Sequence, residues 1–209
     1  MELSELVDAD ATSIDQVASY LDGCDAQRRE REVLALDRKR QRKLFELASA
    51  APPLELSHFV PGDVERGQQV RHRGRNTLPL PGKHRYFEKR FCLPHDGSER
   101  LFGYNEAPSK GMLGPGYFVA HSTAQEPSWT PRGAVVVNYL RVPETADSLP
   151  PQWPRLVPNT RGLQRFVYHG TRDFMRRVSS HVSIGAAYKG EKALDHYFVL
   201  IREPSSRAL

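Results

Sequence analysis

Residues 159–203, NTRGLQRFVYHGTRDFMRRVSSHVSIGAAYKGEKALDHYFVLIRE, constrain the fold more than any other stretch of the chain. From Leu163 the apolar and small positions run 163, 166, 167, 170, 174, 175 and 178. Steps of three and four predict the stripe of an amphipathic helix. Asn159 or Thr160 supplies its N-cap, and Arg161, Arg165, Arg172, Arg176 and Arg177 fall mostly off the stripe. Gly170 costs about 1 kcal/mol relative to Ala inside a helix, and reads as close packing of that helix on a sheet. After Ser180 the period changes. Val182, Ile184 and Ala186 alternate with Ser183 and Gly185, the pattern of a strand. A turn at 190–192 and an apolar run at 197–202 predict an antiparallel partner. A strand over 174–184 is the alternative, because Phe174, Val178, Val182 and Ile184 share a parity.

The middle of the chain predicts the rest of the sheet. Residues 54–84 read as an irregular connection with one strand at 69–73. Residues 86–93 are rich in aromatics, and Phe87, Phe91 and Leu93 share a parity. The turn signal Pro94-His95-Asp96-Gly97-Ser98 and a return strand at 100–104 complete a hairpin. Residues 117–121 form another strand. Residues 134–142 are the most strand-like run, with apolar residues of both parities, which predicts a central strand covered on both faces. The segment 143–158 holds five prolines and Trp153, and reads as an extended strap with the indole plugging a sheet edge. The expected fold is α+β. It comprises an antiparallel sheet of about six strands, curved as a half-barrel, packed with one long helix from the C-terminal half of the chain. A basic helical hairpin precedes it. The expected division is an arm over 1–52 and a body over 53–209.

In the arm, residues 1–12 read as flexible. Ser13 and Gln16 have capping-box spacing, Ile14, Val17, Ala18 and Leu21 form a stripe, and Gly23 is a stop. A second helix is expected over 25–50. Between Ala26 and Lys43 lie eight basic and three acidic residues, a surplus equal to the formal net charge of the whole chain, +5. The basicity therefore belongs to the arm. Arg28, Arg31, Arg38, Lys39 and Arg42 are the candidate contacts to an acidic protein or other anionic surface. Nucleic acid is less favoured, because no aromatics are interleaved for base stacking. The competing reading pairs these cations with Glu30, Glu32 and Asp37 and docks the hairpin on the body or on a second copy in a homodimer.

Composition excludes several classes. The chain is 39% hydrophobic, enough for a core. No apolar run approaches the roughly 18 residues of a membrane span. The acidic start MELSELVDADATS lacks the order of a signal peptide, so Cys24 and Cys92 are expected reduced in the cytoplasm.

Candidate chemistry rests on a few residues. On the predicted helix His169 and Asp173 lie one turn apart, where a carboxylate can orient an imidazole as a general base, with Arg172 nearby for an anionic substrate. Complete nucleophile motifs are absent. Gly111 to Gly116 has the wrong spacing for a phosphate loop, leaving Ser109 and Lys110 as a weak anion site. The histidines at 58, 72 and 84 show no short ligand spacing, and those at 169, 181 and 196, spaced by 12 and 15 residues, read as structural or surface histidines over a metal set, so no metal and no cofactor are expected. A curved sheet closed by a helix encloses an apolar pocket, for which Tyr104, Asn105, Lys110, Tyr117 and Arg172 are candidate ligand-binding residues. Absent a complete catalytic set, the favoured expectation is a non-catalytic binding protein. The alternative is a small enzyme built on His169 and Asp173.

Overall fold

The computed structural model describes residues 1–79, 81–108 and 110–204 of the 209, and of Met112 the backbone alone. Among the described residues the strands are Gln69–Asn76 (β1), Tyr86–Cys92 (β2), Leu101–Glu106 (β3), Phe118–Ser122 (β4), Val135–Asn138 (β5), Thr171–Arg177 (β6), Val182–Lys189 (β7) and Lys192–Arg202 (β8). Each pairs antiparallel with the next, and β8 returns to β1 with Gly74 opposite Leu200. The result is a closed eight-stranded barrel. Closure removes the unpaired edges that an open sheet must protect.

This overturns the expected α+β architecture of about six strands on one long helix. The long helix does not exist. Residues Gln164–Val167 make a single helical turn, and Thr171–Arg177 is β6. Gly170 lies between them at φ +78°, a left-handed conformation that ends a helix. The stripe counted across it joined two different elements. On β6 both faces are buried: Asp173 and Met175 point inward, while Phe174 lies outside against Trp129 and Tyr188. A strand covered on both sides shows no period of two. The alternative of one strand over 174–184 also fails, because the chain turns between Arg177 and Val182.

Strand direction sorts the connections. Loops β1–β2, β3–β4, β5–β6 and β7–β8 gather at one end, the upper; those at the other end include β2–β3, β4–β5 and β6–β7. The segment before β1 closes the lower end, where Leu54, Phe59 and Val60 join Phe91, Phe118, Met175 and Leu200 in the interior core. His72 is fully buried there, and its Nε2–H donates to the Phe59 carbonyl at 2.9 Å. Gly103 is required by close approach: a Cβ would stand 2.3 Å from the Phe118 ring.

The outside of the barrel carries two coats. Over β3 and β4, Trp153 packs on Tyr104 and Tyr117. The expected strap is present, but it covers a face, since a closed barrel has no edge to plug. Over β7 and β8 lie four helices: Leu3–Asp8 (α1), Ile14–Asp22 (α2), Ala26–Ala35 (α3) and Arg38–Leu47 (α4). Ser13 and Gln16 form the predicted capping box. The expected second helix is broken at Leu36–Asp37, where Leu36 turns extended and Asp37 caps α4. Residues 3–8, expected to be flexible, are helical, because Leu3, Leu6 and Val7 bury against the same core as Val182, Ile184, Val199 and Ile201. Asp22 accepts the Ser180 N–H from a residue 158 positions away. No helix among the described residues is long and apolar enough to cross a membrane.

Candidate functional site

The upper half of the barrel is hollow. Where the lower half is filled by Phe91, Phe118 and Met175, the upper half leaves a cavity of about 180 Å³ lined by Phe87, Lys89, Asn105, Tyr139, Asp173 and Phe198 among others. An apolar cavity of roughly 150 Å³ is enough to take up benzene, so this one accommodates a single ring or a short chain. The rim is supplied by His84, Leu113 and Val167 from the upper connections and by Leu194 and His196 from the upper end of β8. The residue before Val167, Phe166, is 65% exposed.

Four polar side chains meet on the wall of this cavity. Lys89 and Asn105 are cross-strand partners on β2 and β3, and Lys89 Nζ donates to Asn105 Oδ1 at 2.9 Å. Nζ also donates to Asp173 Oδ2 at 3.2 Å across the barrel, and to the Tyr139 hydroxyl. Tyr139 in turn donates to Asp173 Oδ2 at 3.2 Å and accepts from Asn105 Nδ2 at 3.1 Å. All three ammonium protons of Lys89 are thus committed. Lys89 is only 2% exposed. Its Nζ lies 4.9 to 5.7 Å from the ring centroids of Phe198, Tyr139, Phe118 and Phe87. Tyr168 stacks on Tyr139 at 5.2 Å and is itself seated against Gly116, where a Cβ would stand 2.5 Å from its ring.

Burial governs the electrostatics. Desolvation pushes Lys89 below the usual lysine range, against the opposing pull of Asp173. Desolvation likewise pushes Asp173 above the usual carboxylate range, more strongly than Lys89 draws it down. Both directions bring the two groups closer in proton affinity, so passing the proton from nitrogen to oxygen costs less here than in water. Tyr139 is held well above the ordinary phenol range, first by burial and then by Asp173, so it remains a hydroxyl. A proton can move between Lys89, Tyr139 and Asp173 within the cluster without changing its net charge.

The sequence-derived candidates scatter. Asn105 and Asp173 reach the cavity, but Asp173 faces Lys89 and not His169. His169 is exposed in the turn before β6, so the helical spacing that joined the two is absent. Arg172 points outward over the Trp129 ring at 4.7 Å. Tyr104 donates to Glu106, Tyr117 donates to the Pro154 carbonyl, and Lys110 pairs with Glu106; none of the three lines the cavity. Ser109 lies outside the described residues. In the arm Arg28 pairs with Glu32, Arg38 with Asp195 and Arg42 with Glu46, while Arg31 and Lys39 project into solvent. Among the described residues no group of three or more His, Cys, Asp or Glu is placed to hold a metal ion.

Lys89 and Tyr139 were missed, and each left a signal. Lys89 sits at the inward parity between Phe87 and Phe91, so a charge falls where the pattern demands an apolar group. Tyr139 continues the inward series Val135, Val137. No family model matches the chain, and neither a curated protein nor a solved structure matches it.

Proposed function

We propose that the barrel is a non-catalytic binding cup for a small, mostly apolar molecule with an uncharged polar head. The observation that carries this reading is the hollow upper half with one polar cluster set among aromatic rings. Natural ligand sites combine these features: a concave apolar lining and a few convergent polar groups. The head group is neutral because Lys89 already spends its hydrogen bonds on Asn105, Tyr139 and Asp173, leaving no ammonium proton to meet a carboxylate. A hydroxyl or carbonyl can instead share the hydrogen bonds of Tyr139 and Asn105. His196 borders the same cavity, and among the described residues its buried Nδ1 has no hydrogen-bond partner, leaving it for a ligand. The reading takes the protein as cytoplasmic, in keeping with two free buried cysteines, Cys24 and Cys92.

The test is thermal unfolding and calorimetric titration with cinnamyl alcohol and with cinnamate. The alcohol at 100 times its dissociation constant should stabilise by about 2.7 kcal/mol. For a chain of this length that raises the melting temperature by roughly 5–10 °C. Cinnamate should bind more weakly. Ala187→Phe, which fills the cavity beside Asp173 on the neighbouring strand, should abolish the shift while the far-UV spectrum stays native. Equal binding to the wild type and Ala187→Phe would remove the cavity from consideration.

A further inference from the structure

We propose that the cup captures aldehydes or ketones covalently, with Lys89 Nζ forming an imine to the carbonyl carbon and Tyr139 and Asp173 relaying its protons. This rests on the binding-cup reading and names the ligand class. Three observations carry it. Lys89 is the one lysine of seven that lines the cavity, and it is sunk beneath the opening. Its nitrogen is held by a carboxyl and a hydroxyl that can exchange protons with it. Four aromatic rings surround it, and an amine in such surroundings loses its charge and becomes nucleophilic.

The step balances within the site. Once Lys89 has passed a proton to Asp173, the Nζ lone pair forms the N–C bond and the carbonyl π pair moves to oxygen. That oxygen takes the Asp173 proton through the Tyr139 hydroxyl, and Nζ returns one proton to the carboxylate. The product is a carbinolamine. A second transfer from Asp173 lets the hydroxyl leave as water, and the nitrogen lone pair completes the C=N bond. The iminium so formed stands against the Asp173 carboxylate, so the net charge is that of the resting pair. Neither oxidant nor reductant is consumed, and hydrolysis reverses the sequence.

The test treats the full chain at pH 7 with cinnamaldehyde and sodium cyanoborohydride, followed by intact mass and peptide mapping. Each unit by which an amine's pKa falls gives about tenfold more free amine at a fixed pH. The expected result is one reduced adduct per chain, with Lys89 exceeding any other lysine by about tenfold or more. Ala187→Phe, which retains Lys89, should lose that adduct. Asp173→Asn should slow its formation several-fold. Adduct spread alike over the surface lysines of wild type and Ala187→Phe would overturn the proposal. If cinnamyl alcohol still raises the melting temperature in that case, only the covalent step falls. If it does not, the binding cup falls with it.

Discussion

Replacing Lys89 by methionine keeps a long flexible stem and removes the nitrogen that ties β2 to β6. Asp173 then keeps one hydrogen bond, from Tyr139, in a site where Lys89 had offset its burial. Breaking a buried pair by deleting one partner costs about 3–5 kcal/mol, because the survivor is left buried and uncompensated. The pH dependence is more diagnostic. In the wild type the pair holds one proton whether it is written as ammonium and carboxylate or as amine and acid. The unfolded pair also holds one between about pH 4 and 10, so the pair adds no slope there. In Lys89→Met the raised Asp173 binds a proton that the unfolded chain has released. Folding stability should therefore fall as pH rises, by up to about 1.4 kcal/mol per unit, until the carboxyl ionises. In Asp173→Asn the lowered Lys89 has released a proton that the unfolded lysine still holds. Stability should then rise with pH by a similar slope. Urea unfolding at pH 5, 6, 7 and 8 measures all three proteins, and Lys89→Met/Asp173→Asn should return to the slope of the wild type. Parallel slopes in the two single variants, or a Lys89→Met cost below about 1 kcal/mol, would refute the buried pair as described.

Acid should destabilise the barrel floor. Burial lowers His72 to about 3 from an ordinary 6.5, so the folded state refuses a proton that the unfolded chain accepts. Stability should fall below pH 6.5 by about 1.4 kcal/mol per unit from His72 alone, and His72→Gln should flatten that slope in an acid titration followed by urea unfolding. Gly103→Ala should cost about 1–3 kcal/mol in the same assay, since its Cβ meets the Phe118 ring and the Arg90 carbonyl oxygen at 2.3 and 2.5 Å. Leu44→Ala, at a fully buried position of α4, should cost about 2–5 kcal/mol and should loosen the arm, seen as faster amide exchange in α4 than in β3.

Strands were the legible part of this fold. Those running through residues 69–73, 86–93, 100–104, 117–121 and 182–186 announced themselves by parity and by the turns between them. Their number and closure did not, because no local pattern records that Gly74 meets Leu200. The β6 strand was hidden because its two faces are both packed, and because the spacings of Phe166, Val167, Phe174 and Met175 imitate a helix once Gly170 is read through. The site was half visible. Asp173 and Asn105 were singled out, but their true partner, Lys89, is 84 and 16 residues away along the chain. A single sequence carries the residue types of such a cluster, and only the barrel brings them together.

The pairing of β1 with β8 also has a consequence for how the chain is made. A ribosome delivers the arm first, but the strands that cover its apolar faces come last, and Asp22 waits for Ser180. Until β8 emerges, β1 and β7 each present an open edge, and the helices of the arm have nothing to lie on. The barrel therefore cannot close, nor the apolar faces of the arm be covered, until β7 and β8 have been made. A chain that stops short of β8 would expose two unpaired strand edges together with the apolar faces of the arm.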